Sequence, residues 1–214
     1  MQKFGKIIPL QGDITDRDSL LSIVEAVKLR HGYIDLLINN AGIVRNLYLH
    51  PLPSPSATHE TTPPSPPHSP SYEPSPHSIK AFQSSLWNSG SQEDWADVFA
   101  TNVTAVYYTT VAFLELLHQG NVRQQKHVIN GTTFKPPHHS SQVLTISSSG
   151  AFRTDSTILS MSYTLSKVAC THLGKVLANL LSPWGIRSNV LAPGVWPSGL
   201  CSTRCEFVKL IRYV

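Results

Sequence analysis

Tyr163 and Lys167 stand four residues apart in the run Tyr163-Thr-Leu-Ser-Lys167, the spacing at which side chains on one helix face are neighbours. A phenol alone is a poor acid or base near neutrality, because it titrates near about 10. An ammonium beside it favours the tyrosinate, and each unit of that shift corresponds to roughly 1.4 kcal/mol. The pair could therefore exchange a proton with a substrate oxygen. Tyr-x-x-x-Lys is also an ordinary surface spacing, so its meaning depends on what converges on it.

Four short segments supply candidates, each following an apolar run: Gly12-Asp13-Ile14, Asn39-Asn40-Ala41-Gly42, Ser147-Ser148-Ser149-Gly150 and Ala192-Pro193-Gly194-Val195. Small and amide-bearing residues let backbone approach a ligand closely and offer fixed hydrogen bonds. In an open parallel sheet, ligands bind beyond the carboxyl ends of the strands, so these tips should face one crevice.

The elements that must position them read as an alternation. Apolar runs at Lys6 to Leu10, in YIDLLIN, at Val143 to Ser147 and at Ile186 to Leu191 predict four strands. Thr15 to Asp18 has the capping-box spacing, Leu20, Val24 and Val27 give the following helix a buried face, and Gly32 stops it. Ser91 to Asp94 repeats that box, and Trp95, Val98, Phe99, Val106, Phe113 and Leu117 mark one stripe of a long helix. A further helix covers about Ser162 to Leu181. Strands alternating with helices predict an α/β fold, a Rossmann-like parallel sheet with helices on both faces.

The ordered series Asp13, NNAG at 39–42, Asn102 within an apolar helix, ISSS at 146–149, YTLSK at 163–167 and IRSNVLAPG at 186–194 resembles the short-chain dehydrogenase/reductase family. The resemblance covers nearly the whole chain and implies an NAD(P)-dependent oxidoreductase that interconverts a carbonyl and an alcohol by hydride transfer. It makes Tyr163 the general acid/base and has Lys167 lower its pKa and hold the nicotinamide ribose. Ser148 would bind the substrate oxygen, with Ser147 and Ser149 as rival serines. Asn102 would hold a water in the proton relay. Asp13 and Ile14 would face the adenine, Asn40, Ala41 and Gly42 the adenosine side, and Pro193, Gly194 and Val195 the nicotinamide. Taken singly, Asn102 could bond its own backbone and Asp13 could simply end a strand.

The family pattern begins with a strand and a Gly-rich turn that cradles the cofactor diphosphate, and this sequence has none. The fold is therefore expected to be incomplete, with its first βαβ unit missing. The residues that choose between NAD and NADP belong to that part; NADP is the first choice. Residues 1–200 are expected to form a single partial domain. A Pro/Ser-rich disordered insertion interrupts it at 46–78, where 10 of the 16 prolines lie between Pro51 and Pro76. Residues 201–214 read as an atypical tail, and truncation at both ends is expected. The alternative reading is a catalytically inactive relative, an interaction module whose Pro63 to Pro66 and Pro64 to Pro67 spacings dock in SH3 or WW grooves.

Composition narrows the classes further. Apolar residues make up 41% and charged ones 14%, which excludes a disordered charged tail. No run approaches the roughly 20 apolar residues of a membrane-crossing helix. The net charge of +4 comes without a Lys/Arg-rich block, so no nucleic-acid partner is expected. Cys170, Cys201 and Cys205 lack zinc spacing, and His138 and His139 sit beside prolines as a loop, so no metal is expected. The expected partners are a small carbonyl or alcohol substrate and a second copy of the chain, in the cytoplasm.

Overall fold

The computed structural model describes residues 7–55, 78–126 and 140–194. Asp16, in extended backbone, caps the first helix by accepting from the Ser19 amide at 2.6 Å. Gly32 ends that helix at φ +74°, with its N–H on the Lys28 carbonyl, the left-handed stop that glycine adopts without a Cβ penalty. These bounds define α1, Arg17–His31. The cap is Asp16 where Thr15 was expected, because the Thr15 amide and hydroxyl both donate to Asp13 Oδ1.

Strand β1, Leu36–Asn39, follows. Helix α2, Ile79–Trp87, starts where Ser78 Oγ accepts from the Ala81 amide, a helix the sequence reading did not foresee. Helix α3, Gln92–Phe99, starts behind the expected capping box: Ser91 Oγ accepts from the Asp94 amide, and Asp94 Oδ2 from the Ser91 amide, each at 3.1 Å. The single long helix expected from Trp95 onward is interrupted twice. A π-helical turn, Ala100–Thr104, leads into α4, Ala105–Ala112. Phe113 then leaves helical backbone at ψ 0° before α5, Leu114–Lys126. The chain continues through β2, Gln142–Ile146, a 3-10 turn, Ser149–Phe152, helix α6, Met161–Leu181, and β3, Arg187–Leu191.

The three strands form a parallel sheet in the order β1-β2-β3, with Leu37, Val143 and Ser188 in one row and Asn39, Thr145 and Val190 in another. The strand expected at Lys6 to Leu10 is absent across its described residues, 7–10. It has no ladder partner there, since β1 pairs only with β2, and Ile7 is 93% exposed. An isolated extended run leaves its amides to water and gains no pairing.

Parallel crossovers are right-handed, and β1 to β2 to β3 steps steadily across the sheet. That rule places α3 to α5 and α6 on the same face. Val143 packs there with Leu117, Leu177, Leu181 and Ile186 in one core cluster, while Leu20, Phe113 and Leu116 join α1 to α5 in a second. Of the two helix-covered faces expected, the described residues build this one. On the opposite face Leu36, Ile38 and Leu191 are 44%, 51% and 51% exposed.

Residues 56–77, the centre of the Pro/Ser-rich insertion with its Pro-x-x-P spacings, lie outside the described residues, as do His138, His139, Val195 and the tail with Cys201 and Cys205. The leading flank of the insertion is built into the body. Asn46 and Tyr48 are buried, and the Tyr48 amide donates to the Leu159 carbonyl at 3.0 Å. No helix among the described residues is long and apolar enough to cross a membrane.

Candidate active site

Ser160 fixes the start of α6. Its hydroxyl accepts from the Tyr163 amide at 3.2 Å and donates to the Arg45 carbonyl at 2.6 Å, so the cap also ties α6 to the segment after β1. One turn later the Lys167 ammonium donates to the Ile146 carbonyl at 2.8 Å and lies 5.8 Å from the centre of the Tyr163 ring. The Lys167 side chain is almost fully buried, and among the described residues one of its three N–H donors has a protein acceptor.

The three candidate serines separate by geometry. Ser147 is buried and turned toward α6, donating to the Lys167 carbonyl and sharing a hydrogen bond with the Thr171 hydroxyl. Ser149 is exposed, with its amide on the Pro193 carbonyl at 2.8 Å. Ser148 lies between them, half-buried beside the Tyr163 phenol, and its hydroxyl accepts from the Gly150 amide at 3.1 Å.

Asn102, fully buried in the π-helical turn, acts as a latch. Its Oδ1 accepts from the Ile43 amide, and its Nδ2 donates to the Ile43 carbonyl and to Ser166 Oγ, all at 2.9 Å. Ser166 Oγ donates in turn to the Tyr163 carbonyl at 2.7 Å. The latch explains why position 42 is glycine. A Cβ there would stand 3.2 Å from Asn102 Oδ1 and 3.5 Å from Lys167 Nζ.

Electrostatics differ from the sequence expectation. Burial pushes the Tyr163 phenol above its ordinary value, against the downward pull of the Ser148 hydroxyl. Burial also lowers the Lys167 ammonium and raises the Cys170 thiol, with Lys167 and Cys170 acting on each other. Desolvation prevails over the Ser148 hydrogen bond, with no offsetting contribution from Lys167, whose ammonium is engaged at the Ile146 carbonyl. The upward shift favours the protonated form of the Tyr163 phenol.

Asn40, Gly42, Ser148, Tyr163, Lys167, Pro193 and Gly194 line one cleft of about 420 Å³ at the carboxyl ends of the strands. Ser147 and Ser149 also reach its wall, and Asn102 stands behind it through Gly42. Asp13, Ile14 and Ala41 do not line this cleft. Asp13 is exposed in the turn before α1, where its carboxyl, held below its ordinary value by the Thr15 hydroxyl and amide, closes a local turn. Sequence reasoning missed Arg153, Ile158, Leu159 and Thr164 on the cleft wall, and Ser160 and Ser166 as its supports. A serine three residues before Tyr163 is a helix-cap signal that could have found Ser160.

The chain belongs to the short-chain dehydrogenase family, whose sequence model matches residues 1–61 and 83–205. It is 37% identical over 196 residues to short-chain dehydrogenase/reductase VdtF of Byssochlamys spectabilis, a match covering 89% of this chain and 57% of that protein. With short-chain dehydrogenase/reductase SAT3 of Stachybotrys chartarum it shares 34% identity over 200 residues, 92% of this chain and 65% of that one. The chain thus spans less than two thirds of the length of either relative. Among solved structures, the 3-ketoacyl-(acyl-carrier-protein) reductase of Brucella melitensis complexed with NADH aligns with a TM-score of 0.61 at 20% identity, over 92% of this chain and 60% of that one. A gluconate 5-dehydrogenase of Burkholderia cenocepacia in complex with NADP and tartrate aligns at 0.54 and 19%, over 89% and 52%. These likenesses establish the Rossmann-like fold.

Proposed function

We propose that the protein is an NAD(P)-dependent oxidoreductase that reduces a carbonyl to an alcohol, with Tyr163 as proton donor. The observation that carries this reading is the convergence of Tyr163, Ser148 and Lys167 on one cleft at the strand ends. The nicotinamide cofactor, when bound, supplies the hydride. Ser148 donates a hydrogen bond to the substrate oxygen, stabilising the charge that develops there. Tyr163 delivers the proton to that oxygen, and the burial that keeps the phenol protonated suits the reductive direction.

The cleft has a place for the nicotinamide end of such a cofactor. Among the described residues the buried Lys167 ammonium has two donors left for ribose hydroxyls, and a Cβ at Gly194 would meet nothing within 4 Å. Pro193 and Gly194 form the nicotinamide side, with Val195 next in sequence. Asn40 and Gly42 line the neighbouring wall, whereas Ala41, Asp13 and Ile14 are assigned to the adenosine end by resemblance alone. No glycine-rich strand-to-helix turn for a diphosphate exists among the described residues, so the fit covers only the nicotinamide half. NADP is retained as the first choice over NAD. A cytoplasmic enzyme is proposed, self-associating through α4 and α6, whose outward faces expose Tyr107, Val111, Leu165 and Val168.

Tyr163→Phe tests the reading. NAD(P)H oxidation driven by a ketone should fall at least about a hundredfold, with cofactor affinity unchanged by calorimetry. In the intact protein reduction should hold until pH passes the ordinary phenol value of about 10, because the raised phenol loses its proton only above it. Alcohol oxidation, which needs tyrosinate, should instead rise with pH. Undiminished turnover in Tyr163→Phe removes the proposed donor.

A further inference from the structure

We propose that the substrate is a bulky, largely apolar carbonyl compound, whose body lies in a second cleft built by the flanks of the insertion while its carbonyl reaches Ser148 and Tyr163. This proposal rests on the oxidoreductase reading above. The second cleft, about 1070 Å³, adjoins the first and shares Ile158 as a wall. Its lining draws Tyr48 and Leu52 from the leading flank, Phe82 and Leu86 from α2, and Met161 from the start of α6.

Three observations support an occupant of this kind. The first cleft, at about 420 Å³, is at the small end of the roughly 300–1,000 Å³ of ligand sites. Once the nicotinamide end of a cofactor is there, little space is left for a substrate body, and the larger cleft lies on the other side of Ile158. The wall between them is also held in place: the Tyr48 amide donates to the Leu159 carbonyl, and His50 Nε2 sits 2.9 Å from the Ile158 carbonyl. A carbonyl only accepts, so His50 Nε2 donates in this contact, and the cleft, mostly apolar, also has Ser78, Asp155 and Thr157 in its wall as polar handles for a substrate hydroxyl. Finally, the family match omits residues 62–82, which include the cap and first turn of α2 with Ser78, Ile79 and Phe82. This part of the wall lies outside what the family model shares, as suits a region that selects a substrate and not one that carries the shared chemistry.

Calorimetry on the full 214-residue chain, without cofactor, tests the cleft directly with 2-acetylnaphthalene and cyclopentanone as probes. The naphthyl ketone should bind at least about tenfold more tightly. Phe82→Ala and Leu86→Ala should each weaken it about fivefold and leave cyclopentanone unchanged, with far-UV circular dichroism confirming the fold; either variant suffices if the other fails to fold. Equal affinity for the two ketones, or a preference that survives both substitutions, overturns the proposal. A preference that persists while neither ketone is reduced upholds the cleft and removes the oxidoreductase reading. Reduction of both ketones with equal efficiency does the reverse.

Discussion

Asn102 carries more of the site's geometry than any group that faces the cleft. Its side chain joins Ile43, just after β1, to Ser166 on α6 through three hydrogen bonds of 2.9 Å. Leaving buried partners unpaired costs about 1–3 kcal/mol per group. Asn102→Ala should therefore lose about 2–4 kcal/mol in urea unfolding, a loss large enough to separate it from a surface substitution. A stability within about 0.5 kcal/mol of the parent would show that the latch holds nothing. The sequence flagged Asn102 only through resemblance, because its partners lie 59 and 64 residues away. Tyr163 and Lys167 were legible at once, since chemistry ties those residue types to one helical spacing. The direction of the phenol shift was not, because burial is a property of the assembled fold. Asp13 shows the opposite case: its partner Thr15 is two residues away, so its role in a local turn could have been read from sequence alone.

At the scale of elements, α6 sets the position of Tyr163 and Lys167 by lying directly against β3. Ser188 Oγ donates to the Gly174 carbonyl at 3.0 Å, and a Cβ at Gly174 would come within 2.3 Å of Val190 Cγ2. Gly174→Ala should push the helix outward and cost about 1–3 kcal/mol in thermal or urea unfolding. Val190→Ala in the same chain should restore part of the loss, because it removes the clashing methyls. A double variant no more stable than Gly174→Ala would place the cause elsewhere. Apolar periodicity announced α1 and α6, and the Ser91 capping box announced the start of α3. The π-helical turn stayed hidden, since one extra residue leaves the stripe from Trp95 to Leu117 recognisable while dividing the helix that carries it. α2 was overlooked because the proline-rich composition around it dominated the reading, although Ser78 is an ordinary cap.

Across the whole molecule, the sheet is covered on one face and bare on the other among the described residues. Leu36, Ile38 and Leu191 expose apolar area there, and β1 pairs along one edge only. Such a surface favours association. Sedimentation of the chain should show, beyond the association proposed through α4 and α6, concentration-dependent larger species, which Ile38→Lys reduces while leaving the unfolding midpoint nearly unchanged. A chain that forms no such species at high concentration would mean the face is covered by something outside the described residues. The alternation of strands and helices was readable from α1 to β3 apart from α2, whereas the absence of a strand at residues 7–10 was not, because a strand depends on neighbours that its own residues do not encode. The division of labour around Ile158 has a broader consequence. On the proposed reading, proton transfer would belong to α6 and the β2 tip, while the volume beyond takes Ser78, Ile79 and Phe82 of its wall from a stretch outside the family match. If the proposed activity holds, diversification of what such an enzyme accepts could therefore proceed by editing that stretch, leaving the reactive machinery under separate selection.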